Sequence, residues 1–239
     1  MDQGQLKPTL LDLLGRTQAD QRALLADLSD AERNQPSAPD GWSIKDLLVH
    51  IAFWKRRQSE RLAAAARGVA PDDEQEHFEQ ANARIYAEWR ERPWAAVIEE
   101  SERAYEELIE RIQAIDDDAL VDPNRFDWQN GRSLVSSIVG NGIWHPQAHM
   151  AQFYVDRGEL PRATRLQEEL TEQIGQFGDH LTSRGEALYN LACFYSSSGQ
   201  IDKALALLPE ALRLRPDLIE WSKEDADLVS LHGLPAYQA

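Results

Sequence analysis

The sequence predicts an all-α protein, a four-helix bundle followed by a short helical tail, and three observations carry that expectation. Strong helix formers (Ala, Leu, Glu, Gln and Arg) recur along the 239 residues, while runs of β-branched residues are missing. Over four long stretches the apolar residues return with the period of an amphipathic helix. Proline and glycine gather between those stretches, where they end helices.

A first helix is predicted over 6–28, with Leu6, Leu10, Leu13, Leu14, Leu24, Leu25 and Leu28 on one stripe. NQPSAPDG at 34–41 breaks it. Ser43 followed three residues later by Asp46 is a capping-box start for a second helix. That helix turns Ile44, Leu47, Leu48, Ile51 and Trp54 inward and runs to Arg67, before Gly68 and Pro71. A third helical region begins near Asp72 and is interrupted at Arg92–Pro93, where proline suits the first turn of a new or sharply kinked helix. Its stripe is Trp94, Val97, Ile98, Ser101, Tyr105, Leu108, Ile109 and Ile112. After a connection at 116–131, a fourth helix is predicted from Ser133 to Arg157, ended by Gly158 and Pro161. These helices assign residues 1–160 to the bundle and leave 161–239 as the tail.

The tail has a different pattern. GEALYNLACFYSSSGQIDKALALLPEALRLRPD, 185–217, resembles a tetratricopeptide repeat: Ala192 and Tyr195 on a first helix, Gly199 in the turn, Ala204, Leu208 and Ala211 on a second, Pro216 at the close. One such repeat cannot bury its own faces, so flanking helices at 162–182 and 222–232, the latter capped by Ser222, are expected to cover it. The tail then either stabilises or dimerises the bundle or offers a surface to a protein partner.

The formal charge of −16 argues against nucleic acid and anionic membranes as partners. KRR at 55–57, the longest basic cluster, reads as a solvated helix face. Cys193 is the single cysteine, so no intramolecular disulfide forms, and its packing position makes it a small buried hydrophobe. MDQGQLKPTLLDLLG does not read as a signal peptide, and no run approaches the roughly 18 apolar residues of a membrane span, so a cytoplasmic location is expected.

The chemistry concentrates in GIWHPQAHMAQF, 142–153. On a regular helix His145 and His149 point within about 40° of each other and share a sector with Leu134, Ile138 and Gly142, the stripe that should face the core. His50 stands at the margin of the second helix's apolar face, beside Trp54. One histidine from one helix and a pair one turn apart on another can converge on a metal, and neutral imidazoles suit zinc, nickel, copper or ferrous iron. The same facing also suits hydrogen-bonded core histidines. Pro146 is expected to kink the helix, with Asn141 and Gly142 absorbing the bend. HPQAH lacks the glutamate of a metallopeptidase motif. Asp46 either orients His50 or only caps its helix. Trp42, Trp54 and Trp144 flank the histidines as candidate pocket walls. Asn82 and Tyr86, interrupting the stripe of Phe78, Ile85 and Trp89, are candidate polar contacts to a substrate. His77, His180 and His232 read as surface or structural residues.

GWSIKDLLVHIAFW, the break at ERPW and WHPQAHMAQF together resemble the DinB-like (DinB/YfiT) family of four-helix bundles, the ClbS/DfsB branch most nearly, over about residues 5–158. The carrying motifs are W-S-x-K-D-L-x-x-H and H-x-x-x-H. The resemblance implies a metal triad of His50, His145 and His149 holding zinc or nickel, and a homodimer, as in many members. It also implies a metal-dependent enzyme, either a hydrolase or a transferase using a low-molecular-weight thiol, that acts on a small electrophilic molecule. The other expectation is non-catalytic: a scaffold whose tail contacts a partner, or a protein that sequesters a small molecule.

Overall fold

The computed structural model describes residues 3–33, 35, 42–72, 77–175 and 184–237, and among these every regular element is helical. The chain divides into two compact units, Met1–Asp156 and Arg157–Ala239. None of the described helices is long and apolar enough to cross a membrane.

In the first unit α1 spans Gln3–Ala26 and buries Leu6, Leu10, Leu13, Leu14 and Leu24. The next helix, α2 (Ile44–Ala66), opens on a reciprocal capping box. The Ser43 hydroxyl accepts from the Asp46 N–H at 3.3 Å, and the Asp46 carboxylate accepts from the Ser43 N–H at 2.9 Å. Asp46 therefore works at the helix start and does not orient His50. Between the third stripe's two halves the chain makes a true break: α3 (Phe78–Trp89) ends and α4 (Trp94–Ala114) begins after Pro93 in extended conformation. Ala81 and Ile85 seat α3 inward, Ile85 packing with Leu48, Val49 and Val97, while Phe78, expected on that stripe, is exposed. The connection at 116–131 contains a short α5 (Asp117–Val121) and a 3-10 turn at Asp127–Gln129. The fourth bundle helix is α6 (Leu134–Val139), a π-helical turn (Gly140–Trp144) and α7 (His145–Asp156) in unbroken succession.

Leu10, Leu14, Leu48, Tyr105, Leu108, Ile112, Leu134 and Ile138 are enclosed almost completely, and each such aliphatic side chain stabilises the fold by about 1.5–3 kcal/mol. Buried amides tie the helices across this core: Gln21 donates to Ser101 at 2.9 Å, joining α1 to α4. Gln147 donates to Asp20 at 2.8 Å, joining α7 to α1. Within the basic cluster Arg56 is exposed as expected, but Lys55 departs from the solvated face and is 0% exposed. It lies on the Leu48, Ile51, Ser59 and Leu62 face of α2, with its amine 4.0 Å from the centre of the Tyr105 ring and no hydrogen-bond partner among the described residues. Burial pushes that amine well below the usual lysine range.

The second unit contains α8 (Leu160–Gly175), α9 (Arg184–Ser197), α10 (Ile201–Leu214) and α11 (Ile219–Ser222). Ala192, Ala204 and Ala211 are fully buried where α9 and α10 touch, and Gly199 turns the chain between them at φ +78°. Gly185 is required by close approach: a Cβ there would lie 2.7 Å from Leu214 Cβ and from Arg215 Cγ. The helix expected over 162–182 is helical over Leu160–Gly175, and its end lies outside the described residues. The helix expected over 222–232 does not form. Ser222 ends α11, its hydroxyl donating to the Ile219 carbonyl at 2.8 Å, and Asp225 caps a 3-10 turn at Ala226–Leu228. Leu228 and Leu231, three residues apart and both buried, suit that tighter turn. Asp225 also accepts from the Tyr189 hydroxyl at 2.8 Å and the Trp221 indole at 3.1 Å, which holds the segment in this local arrangement.

An amine without a counter-charge in an apolar layer opposes folding, and methionine has similar length without it. The Lys55→Met variant should therefore unfold at a higher temperature than the wild type near pH 7. A lower midpoint by calorimetry would mean that the amine has a stabilising partner.

Candidate metal centre

The centre is assembled from α2 and α7, and its geometry begins with Pro146. Proline has no N–H, and in a regular helix its ring would strike the carbonyl of residue 142. The chain avoids this by widening: the His145 N–H donates to the Gly140 carbonyl, five residues back, in a π turn. The expected kink is this turn instead. Gly142 lies inside it, and a Cβ there would meet Leu14 Cδ2 at 2.9 Å and Leu108 Cδ2 at 3.1 Å, so glycine allows α1 and α4 to close on the turn.

One extra residue in a turn rotates everything after it by about 100° relative to a regular helix. His145 and His149 consequently leave the sector of the fully buried Leu134 and Ile138. They are half-buried and meet His50, itself buried, at the margin of the bundle. His50 Nε2 lies 2.8 Å from His145 Nε2, which lies 3.0 Å from His149 Nε2.

The protonation of His50 follows from its neighbours. Asn82 Oδ1 lies 3.0 Å from His50 Nδ1 and 3.3 Å from Trp54 Nε1. An indole N–H only donates, so the amide atom facing it is the oxygen, and His50 must donate its Nδ1 proton to the same oxygen. Its Nε2 therefore presents a lone pair to the other two rings. His145 Nε2 has at most one proton for two close contacts, so neutral rings cannot satisfy both with directed hydrogen bonds. A cation among the three nitrogens does satisfy them. Metal–imidazole bonds of about 2.0–2.1 Å hold two donors of one ion roughly 3 Å apart, the range in which these nitrogens lie.

Electrostatics keep the rings ready for such a role. Burial lowers His50 to about 4, helped by the charge of His149 and, more weakly, Lys55. Burial lowers His145 to about 2, with His149, His50 and Lys55 adding. Burial and then Lys55 lower His149 to about 4. All three are neutral at pH 7, as metal ligation requires.

Of the other predicted residues, Trp54 and Asn82 come to the centre through His50, and the Trp42 ring meets His50 edge-on with centroids 4.8 Å apart. Asn82 thus orients a histidine rather than facing a substrate alone. Trp144 is half-buried beside His145, its indole N–H without a partner among the described residues. Tyr86 is exposed, its ring facing the Arg90 guanidinium, and makes no described contact with the triad. His77 is exposed near Glu79, His232 faces the Ser222 carbonyl, and His180 lies outside the described residues. In the second unit Cys193, Asp225 and Asp227 also stand close together, but Asp225 is occupied by Tyr189 and Trp221, and burial drives the Cys193 thiol up and keeps it protonated.

The family model of the DinB superfamily matches residues 13–153, more than half of the chain and all three clustered histidines. No curated protein and no solved structure gives a match.

Histidines held at about 4 when folded and titrating near 6.5 when unfolded bind fewer protons in the native state across that window. Their contribution to stability is complete above pH 6.5 and is lost as pH falls toward 4, with His145 extending the loss toward 2. The melting temperature of metal-free wild type should therefore fall more steeply between pH 6.5 and 4 than that of a His50, His145, His149→Ala variant. Equal slopes would show that the buried rings do not titrate this way.

Proposed function

The chain belongs to the DinB superfamily, and on that footing we propose that it is a metal-dependent enzyme acting on a small electrophilic molecule, with His50, His145 and His149 as the ligands of one divalent ion, zinc or nickel. The observation supporting this most directly is the convergence of three Nε2 atoms with too few protons among them. Bound there, such an ion supplies Lewis acidity and lowers the pKa of a water or thiol at an open position.

We favour a thiol cosubstrate over water. Among the described residues the triad's one hydrogen-bonding partner outside itself is Asn82, and no carboxylate reaches any of the three rings. A bound metal brings water to a pKa of about 7 and deprotonates a coordinating thiol outright, so both fit the site, and we favour the thiol on the likeness to the ClbS/DfsB branch. The thiol is a small molecule, because Cys193 is buried, protonated and the chain's one cysteine. Asn82 holds the His50 proton away from the centre, and Trp42 and Trp54 exclude water on the His50 side. We read the protein as a thiol-dependent transferase nearest the ClbS/DfsB branch, with a hydrolase as the neighbouring reading.

A second reading concerns the tail. The alanine-lined contact of α9 and α10 supports a tetratricopeptide-like unit, and the apolar groove of Leu205, Leu208, Leu212, Ile219 and Tyr237 supports partner contact or a homodimer there. With a charge of −16 we read the partners as neither nucleic acid nor membrane, and the location as cytoplasmic.

The test is metal content of untagged protein by mass spectrometry, followed by turnover of an activated aryl halide with a panel of thiols. Near one equivalent of zinc or nickel, lost in the triple histidine variant, with turnover needing both metal and thiol, is the expected result. No metal in the wild type, even after reconstitution, would overturn the enzyme reading. Metal-dependent turnover without thiol would identify the hydrolase.

A further inference from the structure

The π turn that rotates α7 needs something to fix where the extra residue sits. Gly140, Asn141 and Gly142 are permissive in sequence, and Pro146 forbids a regular helix without choosing an alternative. Gln58 is placed where it can make that choice. It lies on α2, eight residues beyond His50, or about 12 Å along the helix axis, and is 1% exposed.

Both ends of its amide are engaged by the fourth bundle helix. The Gln58 amide nitrogen donates to Ser137 Oγ at 3.0 Å, on α6 before the π turn. Its oxygen accepts from Asn141 Nδ2 at 3.2 Å, inside the turn. Ser137 is itself anchored, donating to the Leu134 carbonyl at 2.9 Å and accepting from the Gln129 amide at 3.3 Å. The amide thus spans the junction where α geometry gives way to π geometry. It does so from the same helix that presents His50.

The alternative register shows what is at stake. In a regular helix from Leu134 onward His145 lies seven residues after Ile138, about 20° away from it, facing the closed core. Ile138 is fully buried, so the pair would be directed into packed leucines and away from His50.

We propose that Gln58 is the positioning residue of the histidine centre: by bridging Ser137 and Asn141 it fixes the π turn that rotates His145 and His149 onto His50. This inference rests on the metal reading for its functional consequence, but the bridge itself is a property of the chain. Groups that hold metal ligands in orientation typically change metal affinity by about 10–100-fold when removed.

Two measurements on the full chain test it, with Gln58→Met and Asn141→Ala removing the bridge from either side. By competition with a chelator, each variant should bind zinc about tenfold or more weakly than wild type, and the double variant no more weakly than the worse single one. By hydrogen exchange on the metal-free protein, each should speed exchange of the amides at 141–145 while leaving those of α2 unchanged. A general loss of stability would instead speed both segments. Wild-type zinc affinity in both variants, or unchanged exchange at 141–145, would overturn the inference. Wild-type protein that binds neither zinc nor nickel would overturn the metal reading and the positioning role with it, whatever the exchange shows.

Discussion

The first unit depends on a hydrogen bond that cannot be made. Pro146 has no N–H for the carbonyl of residue 142 and no room for its ring against it, and the helix answers with one wide turn. That turn fixes the facing of α7, and through it the meeting of His145 and His149 with a histidine almost a hundred residues earlier. Glycine at 142 lets Leu14 and Leu108 close on the turn. The amide of Gln58 crosses the junction between the two helical geometries. A local defect in backbone pairing is thereby converted into a convergent set of side chains, the kind of use for which π turns are most often found at functional sites.

Electrostatics act in the same direction. A chain with a charge of −16 keeps its three imidazoles neutral by burying them near the amine of Lys55. Neutral rings are donors of lone pairs, and the hydrogen bond from His50 to Asn82 decides which nitrogen does the donating. Such an interior is poor at holding a proton and well suited to a divalent cation. Among the described residues its neighbours are tryptophans and an amide rather than carboxylates.

Much of this was legible in the sequence because it depends on period and spacing. The stripes of α1, α2 and α4, the capping box at Ser43 and the small residues between α9 and α10 are local patterns, and the structure contains each of them. His50, His145 and His149 were identifiable from spacing and facing, although the facing was inferred for a regular helix and the structure uses a π turn. What was not legible depends on tertiary partners. A charged side chain on an apolar stripe gives no sign that Lys55 will stay buried over Tyr105 instead of extending to water. That Asn82 would orient His50 depends on Trp54, which fixes its amide. The last tail segment looked helical, but Asp225 gathers Tyr189 and Trp221 around a shorter turn. Asparagine among the apolar positions of α3 was the available signal that something across from it needed an acceptor.

The central claim is that three Nε2 atoms form one centre, and nitrogen NMR of histidine-labelled protein tests it most directly. On adding one equivalent of zinc to metal-free protein, the Nε2 resonances of His50, His145 and His149 should move together, while their Nδ1 resonances keep the signature of protonated nitrogen. The signals of His77, His180 and His232 should stay in place. Zinc that moves none of the three, or binds through Nδ1 or through the other histidines, would contradict the account.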